Sequence, residues 1–302
     1  MRKKDIIINS NSDKLPISVT MFIPEVDIKG IVQISHGMAE HKERYFDFME
    51  YLANQGYVTI INDHRGHGKS IKEKEDLGFF YDNSSEYIVE DLHQITLYIK
   101  ELYPNKEMIL FGHSMGSMVV RKYIKKYDKD IDKLIACGSP SKNPFAGLAI
   151  FITKIMKIFK GDKYRSNFIQ NLAFGSYNKN IKNAKSKNSW ICSNNETVES
   201  YDNDELCGFI FTLNGFENLF RLMKEIYQKD GWKLNKKDLP ILFIAGSNDP
   251  VIIDEEKWNE SQEFLKKIGY SNVTGKLYKN LRHEILNEKN KQQIYEDIIN
   301  FI

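Results

Sequence analysis

The chain has 302 residues, of which 41% are hydrophobic and 28% are charged. This balance excludes a disordered chain and supplies enough apolar side chains for one large core. The 43 basic and 41 acidic residues leave a net charge of +2, so the charge gives no reason to expect a nucleic-acid partner.

Short apolar runs alternate with helix-like segments along the first half of the chain. Strands are predicted at Ile6–Ile8, Ile17–Phe22, Ile31–Ile34, Val58–Ile61, Met108–Phe111 and Leu134–Cys137. Apolar residues at helical spacing predict helices between them, at Tyr45–Asn54, Asn83–Tyr103 and Ser117–Tyr127. In the second helix, Asn83 and Glu86 have the spacing of a capping box.

The same alternation returns near the C-terminus. Strands are predicted at Ile241–Ala245 and Val273–Tyr278, and helices at Glu256–Ile268 and Gln292–Ile302. Continuous apolar strands that alternate with helices are typical of a mostly parallel sheet with helices on both faces, which is an α/β fold. Residues 139–238 have weaker strand signals, so we interpret them as a helical cap inserted into a core formed by residues 1–138 and 239–302.

The cap begins with a segment, residues 145–160, that predicts an amphipathic helix. One face carries Leu148, Phe151, Ile152, Ile155, Met156, Ile158 and Phe159, and the other carries Thr153, Lys154, Lys157 and Lys160. Two interpretations stay open. The apolar face packs against the sheet domain, or it lines an acyl tunnel or contacts a membrane surface transiently, with the lysines at the headgroups.

The cysteines and the N-terminus indicate the cellular compartment that the sequence predicts. Cys137, Cys192 and Cys207 are too few and too widely spaced to predict a zinc site or a disulfide framework, and a cytoplasmic location is expected. The N-terminus starts basic, but its apolar run stops after Ile6-Ile7-Ile8, short of an export signal. No run of about 18 uncharged apolar residues is present, so no membrane span is expected.

The most specific local motif is Gly112-His113-Ser114-Met115-Gly116. It follows a predicted strand and opens a predicted helix, which is the context of a nucleophile elbow. Small residues on both sides of the serine suit the tight turn that exposes its hydroxyl. A capping serine at an ordinary helix start is the alternative, but the strand before it and the helix after it favour Ser114 as a catalytic nucleophile.

A serine hydroxyl needs a base, and the base needs a carboxylate to orient it. His283 is the only histidine after Ser114, and Asp249 directly follows the Ile241–Ala245 strand. Both lie where parallel strands end, and α/β folds place their sites there. Asp254 and Glu255 are less favoured alternatives to Asp249.

The tetrahedral oxyanion of such a reaction needs two backbone donors. The position after the nucleophile offers the N–H of Met115, and the loop after the third strand offers the N–H of Met38. A further loop, residues 63–70, contains His64 and His67 but no helix to align them, so no metal site is expected. It also lacks the GxxxxGK(S/T) pattern of a phosphate loop, and we interpret it as a brace for the turn that carries Ser114.

Taken together, these motifs resemble the α/β-hydrolase superfamily, and within it the monoacylglycerol lipase and bacterial lysophospholipase group, also catalogued as serine-aminopeptidase-like. The motifs are His36-Gly37 with Glu40-His41, the loop 63–70, the Ser114 motif, Gly246-Ser247-Asn248-Asp249-Pro250, Arg282-His283-Glu284 and the cap segment Asp204-Glu205-Leu206-Cys207-Gly208-Phe209. The resemblance covers nearly the whole chain in order. It implies the α/β-hydrolase fold, a carboxylic-ester hydrolase that acts on monoacyl lipids, and no cofactor.

The resemblance also implies roles for single residues. Ser114, Asp249 and His283 match the catalytic triad of the family, and Met38 and Met115 match its oxyanion positions. The monoacylglycerol lipases usually carry a small residue where Met38 stands. A larger side chain there is expected to narrow the entrance on the acyl side.

The expected function is therefore hydrolysis of an ester through an acyl-enzyme. An aminopeptidase or amidase of the same fold stays open, because an acidic cluster in the cap would suit a free amino terminus: Glu196, Glu199, Asp202, Asp204 and Glu205. An acyltransferase or thioesterase could use the same triad. A non-catalytic binding protein is the least favoured alternative, because all three triad candidates are present.

Overall fold

The computed structural model describes residues 1–302 and contains eight strands. They are β1 (Arg2–Asn9), β2 (Pro16–Ile23), β3 (Gly30–Ser35), β4 (Tyr57–Asn62), β5 (Glu107–His113), β6 (Lys133–Cys137), β7 (Ile241–Gly246) and β8 (Val273–Tyr278). They form one sheet in the order β1-β2-β4-β3-β5-β6-β7-β8. Strand β2 pairs antiparallel with β1 and β4, and all other pairs are parallel.

Nine α-helices accompany the sheet. They are α1 (Phe46–Asn54), α2 (Tyr87–Leu102), α3 (Met115–Tyr127), α4 (Ala146–Lys160), α5 (Asn167–Phe174), α6 (Asn195–Asn203), α7 (Leu213–Glu225), α8 (Glu255–Ile268) and α9 (Lys291–Phe301). Helices α1 and α9 bury apolar side chains in one core cluster, and α2, α3 and α8 do so in another. Every residue of β3 and β4 is buried, which is why these strands are apolar almost without interruption.

The predicted mostly parallel sheet is confirmed. Each predicted strand is present, and only β8 has the predicted ends, because hydrogen-bonded pairing continues past the apolar run in the others. No helix combines the length and the apolar composition that crossing a membrane requires.

The predicted capping box at Asn83 and Glu86 is wrong. Helix α2 begins at Tyr87, and the carboxylate of Asp82 accepts hydrogen bonds from the N–H groups of Glu86 (3.0 Å) and Tyr87 (3.1 Å). Asn83 reaches the other way: its Oδ1 accepts from Lys157 Nζ (2.8 Å) and Asn214 Nδ2 (3.1 Å). The spacing of Asn83 and Glu86 therefore has no capping role, because a neighbouring carboxylate does the capping.

Residues 139–238, which we call the cap segment, lie between β6 and β7 and contain α4 to α7. Helix α7 packs against both α4 and α3, so it joins this segment to the core. Helix α4 turns part of its polar side inward, because Thr153 is fully buried and Lys157 binds the buried Glu217 of α7, while Lys154 and Lys160 are exposed. Its apolar residues Phe151, Ile158 and Phe159 are exposed. Of the predicted apolar face, Ile152 and Met156 pack against the core cluster, but its other members are exposed, so the interpretation in which the whole face packs against the sheet domain is wrong.

Candidate active site

Ser114 occupies the sharp turn between β5 and α3. Its backbone dihedrals are φ 53° and ψ −118°, a strained conformation for a residue with a side chain. A Cβ on Gly112 would overlap the carbonyl of Gly116, and a Cβ on Gly116 would overlap the carbonyl of Ser35. The two glycines of the motif are thus required by close backbone approach, and the turn has the geometry of a nucleophile elbow.

Asp249 and His283 meet at the carboxyl ends of β7 and β8. His283 Nδ1 lies 2.8 Å from Asp249 Oδ2, and Asp249 Oδ1 accepts from the N–H of Val251 at 2.9 Å. Both side chains are buried. Because Nδ1–H donates to the carboxylate, Nε2 is left as the ring nitrogen that can accept a proton.

Ser114 and His283 line one cavity of about 430 Å³ between the sheet and the cap segment. His283 Nε2 is buried and makes no hydrogen bond, so none joins it to Ser114 Oγ in this structure. Such bonds are often long without a substrate and tighten when one binds. The structure thus brings the predicted serine and histidine to the same cavity, with Asp249 hydrogen-bonded to the histidine.

The two predicted oxyanion donors border the same cavity. Met115 is the first residue of α3, so its N–H has no acceptor within the helix. The N–H of Met38 has no hydrogen-bond partner in the protein. Residues 36–40, which we call the oxyanion loop, lie directly against the nucleophile, because a Cβ on Gly37 would stand 3.2 Å from Ser114 Cβ.

A largely buried arginine, for which the sequence motifs predict no role, connects this loop to the residue that follows His283. Arg44 donates to both oxygens of Glu284 at 2.7 Å and also binds Glu40. Burial lowers the pKa of Arg44, but the two carboxylates outweigh burial and hold that pKa well above its ordinary value. Glu40 accepts from the N–H of Gly37, and Glu284 follows His283. The i,i+4 spacing of Glu40 and Arg44 was the available signal.

His113 contacts the backbone of the loop that carries His283. Its Nδ1 lies 2.9 Å from the hydroxyl of Tyr45, and its Nε2 lies 3.3 Å from the carbonyl oxygen of His283. Burial lowers the pKa of His113, but the hydrogen bond and charge of Glu40 outweigh burial, and the pKa is raised. Its contacts are with positioning groups, so it helps to fix the backbone at His283.

The loop 63–70 braces the oxyanion loop, which corrects its interpretation as a brace for the Ser114 turn. His36 Nδ1–H donates to the carbonyl of Gly37, and His36 Nε2 accepts from the N–H of His64 at 2.9 Å. His67 Nε2 accepts from the N–H of Ala39 at 3.3 Å. Burial lowers the pKa of all three histidines, that of His67 to about 3, so they stay neutral and serve as hydrogen-bonding struts.

Comparisons with known proteins identify the family to which the chain is similar. A family model described as serine aminopeptidase, S33, matches residues 26–290. The monoacylglycerol lipase of Mycolicibacterium smegmatis is 24% identical over 282 residues, which cover 93% of this chain and 91% of that protein. The probable lysophospholipase L2 of Haemophilus influenzae is 23% identical over 300 residues, covering 92% of this chain and 85% of that protein.

Among solved structures, a thermostable carboxyl esterase from Bacillus coagulans, in complex with glycerol, superposes with a TM-score of 0.92. It is 27% identical, and the match covers 100% of this chain and 98% of that chain. These matches confirm the resemblance that the motifs predict and the fold that it implies.

Proposed function

We propose that this chain, which belongs to the serine aminopeptidase S33 family, is a serine hydrolase that cleaves carboxylic esters of monoacyl lipids. The observation that carries the proposal is that His283, which is hydrogen-bonded to Asp249, lines the same cavity as the strained Ser114. The substrate class is supported by similar proteins that are named monoacylglycerol lipase and probable lysophospholipase.

The proposed reaction begins when His283 Nε2 takes the proton of Ser114 Oγ, which attacks the ester carbonyl carbon. The N–H groups of Met38 and Met115 stabilise the oxyanion of the tetrahedral intermediate, and Asp249 stabilises the imidazolium. The imidazolium then protonates the leaving alcohol, and the acyl group stays on Ser114. Water, activated by the same histidine, hydrolyses this acyl-enzyme and releases the fatty acid.

The lining of the cavity suits a lipid with one chain and a polar head. Its apolar residues include Met118, Phe209, Ile210, Leu219, Phe220 and Met223. The amides of Asn178 and Asn188 offer donors and acceptors for hydroxyl groups. Apolar walls with a few polar groups are typical of small-molecule sites.

The acidic cluster that kept an aminopeptidase open does not face this cavity. Its members are Glu196, Glu199, Asp202, Asp204 and Glu205, and none of them lines it. Asp204 binds His41, and Glu205 binds Lys74. Recognition of a free amine at the cavity therefore has no support from these residues, and ester hydrolysis is the better proposal.

A panel of substrates tests the proposal. It contains p-nitrophenyl esters from C2 to C16, a monoacylglycerol, a lysophospholipid and an aminoacyl p-nitroanilide. We expect turnover of the esters and the monoacyl lipids, and labelling of Ser114 by a fluorophosphonate. Turnover of the anilide alone, without ester turnover, would contradict the proposal in favour of a peptidase.

The second part of the proposal is that the enzyme meets its substrate at a lipid surface. Phe151, Ile158 and Phe159 of α4 are exposed, together with Phe168 and Leu172 of α5. Leu172 also lines the cavity, so this apolar surface continues into the site. Neither helix contains an acidic residue.

Charge supports an anionic lipid surface as the partner. Three exposed lysines stand on or beside this surface: Lys142, Lys154 and Lys160. Lysines around an apolar face favour the interface of a membrane with anionic headgroups. Lys157 does not take part, because it is turned inward to Glu217.

Co-sedimentation with vesicles of anionic phospholipid tests this part. We expect the double variant Ile158→Ser and Phe159→Ser to lose binding and long-chain turnover but to keep C4 ester turnover. The matched control is Leu97→Ser with Leu102→Ser, which removes two exposed leucines from α2. Equal sedimentation of both variants and the wild type would contradict contact through α4.

A further inference from the structure

The oxyanion loop holds a residue in a conformation that it would not keep alone. Ala39, the neighbour of the predicted donor Met38, has φ +51°, in the left-handed region. For a residue with a Cβ, this region costs roughly 1–2 kcal/mol, so surrounding contacts must hold it. Gly37 precedes Met38, and glycine restricts backbone rotation less than any other residue. The direction of the Met38 N–H therefore depends on what fixes Ala39.

Two different parts of the molecule hold Ala39. From the core, His67 Nε2 accepts the N–H of Ala39 at 3.3 Å. From the cap segment, the hydroxyl of Tyr201 and the N–H of Gly208 each donate to the carbonyl of Ala39 at 2.9 Å. The two shorter hydrogen bonds at this residue thus come from the cap segment.

The hydroxyl of Tyr201 makes one hydrogen bond, which is the bond to Ala39. Tyr201 lies on α6, is 8% exposed, and lines the cavity. The guanidinium of Arg44 lies 4.8 Å from the centre of its ring, and its hydroxyl donates only to Ala39. Next to it, Asp204 Oδ2 lies 2.9 Å from Nε2 of His41, just past the oxyanion loop.

We propose that Tyr201 is a positioning residue that holds the oxyanion loop in its donor conformation, so that docking of the cap segment and assembly of the oxyanion hole are one event. The inference rests on the proposed function, because it gives Met38 the role of an oxyanion donor. Tyr201 acts through Ala39 and takes no part in bond making. A displacement of residues 201–208 would release both donors from Ala39 at once and let the strained residue relax.

The variant Tyr201→Phe removes the hydroxyl and keeps the ring. Loss of a direct oxyanion donor costs about 10²–10³-fold in kcat, so loss of a group that only orients the donor should cost about tenfold. We expect KM for a C4 p-nitrophenyl ester to stay within about twofold of the wild type. The affinity for a trifluoromethyl ketone, which forms an oxyanion on Ser114, should fall in parallel with kcat.

A matched control is Glu205→Gln, which breaks the exposed pair with Lys74 in the same stretch of the cap segment but leaves Ala39 untouched. It should keep wild-type kcat and ketone affinity. Wild-type kcat in Tyr201→Phe would overturn the inference. A rise in KM alone would also overturn it, because Tyr201 would then be a substrate contact.

Hydrogen exchange of the peptide that covers residues 36–41 separates this inference from the proposed function. Tyr201→Phe should speed exchange there, and Glu205→Gln should not. This readout needs no substrate, so it decides whether Tyr201 holds the loop even if the ester panel fails. Unchanged exchange in Tyr201→Phe would show that the loop is held without it.

Discussion

Helices α3 and α4 are both amphipathic, but α3 buries its apolar residues, whereas α4 leaves most of its apolar face exposed. On α3, apolar residues such as Val119, Val120 and Ile124 are fully buried under the sheet. On α4, Ile158 and Phe159 are each 79% exposed, while Thr153 is fully buried. The periodicity of the sequence predicts that each helix forms, but it does not say what the neighbouring surface is.

The surface of α7 on which α4 packs contains a buried carboxylate. Glu217 of α7 is almost fully buried and binds Lys157 at 2.9 Å and Arg221 at 2.8 Å. A buried carboxylate without partners would cost several kcal/mol, so Lys157 of α4 turns inward to Glu217 while Lys154 and Lys160 stay exposed. Helix α3 also binds a carboxylate of α7, because Lys122 pairs with Glu225 at 2.6 Å, but most of its apolar residues are fully buried as well.

The first prediction places the chemistry in the core. Ser114→Ala should lower kcat for a C4 ester by about 10⁴-fold or more, because the nucleophile is lost. The melting temperature should stay close to that of the wild type. Ser271→Ala, at an exposed serine, is the control and should keep full activity. A tenth of wild-type activity in Ser114→Ala would refute the assignment of the nucleophile.

The second prediction concerns the stability of the core at acid pH. All seven histidines lie outside the cap segment, so the titration of histidines affects the core. Burial lowers the pKa values of His36, His64 and His67, that of His67 to about 3. Below about pH 6.5 these three histidines bind protons in the unfolded chain but not in the folded protein. The free energy of unfolding therefore falls as the pH falls. A ring that stays neutral in the folded state contributes at most about 1.4 kcal/mol per pH unit below the ordinary pKa of histidine.

His113 does not reverse this trend. Its pKa is raised, so its stabilising contribution is complete below the ordinary value and is lost only as the pH rises through the raised one. Urea midpoints at pH 7, 6 and 5 measure how stability changes with pH. At these pH values carboxylates with ordinary pKa values stay ionised, so the histidines dominate the change. Equal midpoints at pH 7 and pH 5 would mean that the three rings take up protons in the folded state.

The sheet and the positions of Ser114, Asp249 and His283 at the ends of its strands could be predicted from the sequence because their signals are local. An apolar run that ends in Gly112–Gly116 or in Asp249 identifies both a strand and the residue at its end. Tyr201 and Arg44 could not be assigned roles in this way. Their partners, Ala39 and Glu284, are 162 and 240 positions away in the chain, and only the fold brings them together.

The third prediction compares one substitution on both helices. Ile124→Ala on α3 should lower the free energy of unfolding by about 2–5 kcal/mol, because it opens a cavity in a fully buried site. Ile158→Ala on α4 should change it by less than about 0.5 kcal/mol. Urea denaturation measures both. Equal losses would show that the outer face of α4 is covered in solution, as it would be in a dimer.

The fourth prediction concerns two adjacent residues at the boundary between the regions. Asp82→Ala removes the acceptor for the N–H groups of Glu86 and Tyr87 and should cost about 0.5–2 kcal/mol, the usual effect of losing a helix cap. Asn83→Ala removes an acceptor for Lys157 and Asn214, which face the core from the cap segment.

The cost of Asn83→Ala should be smaller, below about 0.5 kcal/mol, because Asn83 is exposed and both partners keep other acceptors. Lys157 keeps Glu217, and the Asn214 amide keeps the carbonyl of Asp82. Urea midpoints of the two variants, measured side by side, give the order. If Asn83→Ala were the more destabilising change, the contact between Asn83 and Lys157 would contribute more to stability than the capping of α2 by Asp82. The boundary of the cap segment would then be held more tightly than its exposed hydrogen bonds indicate.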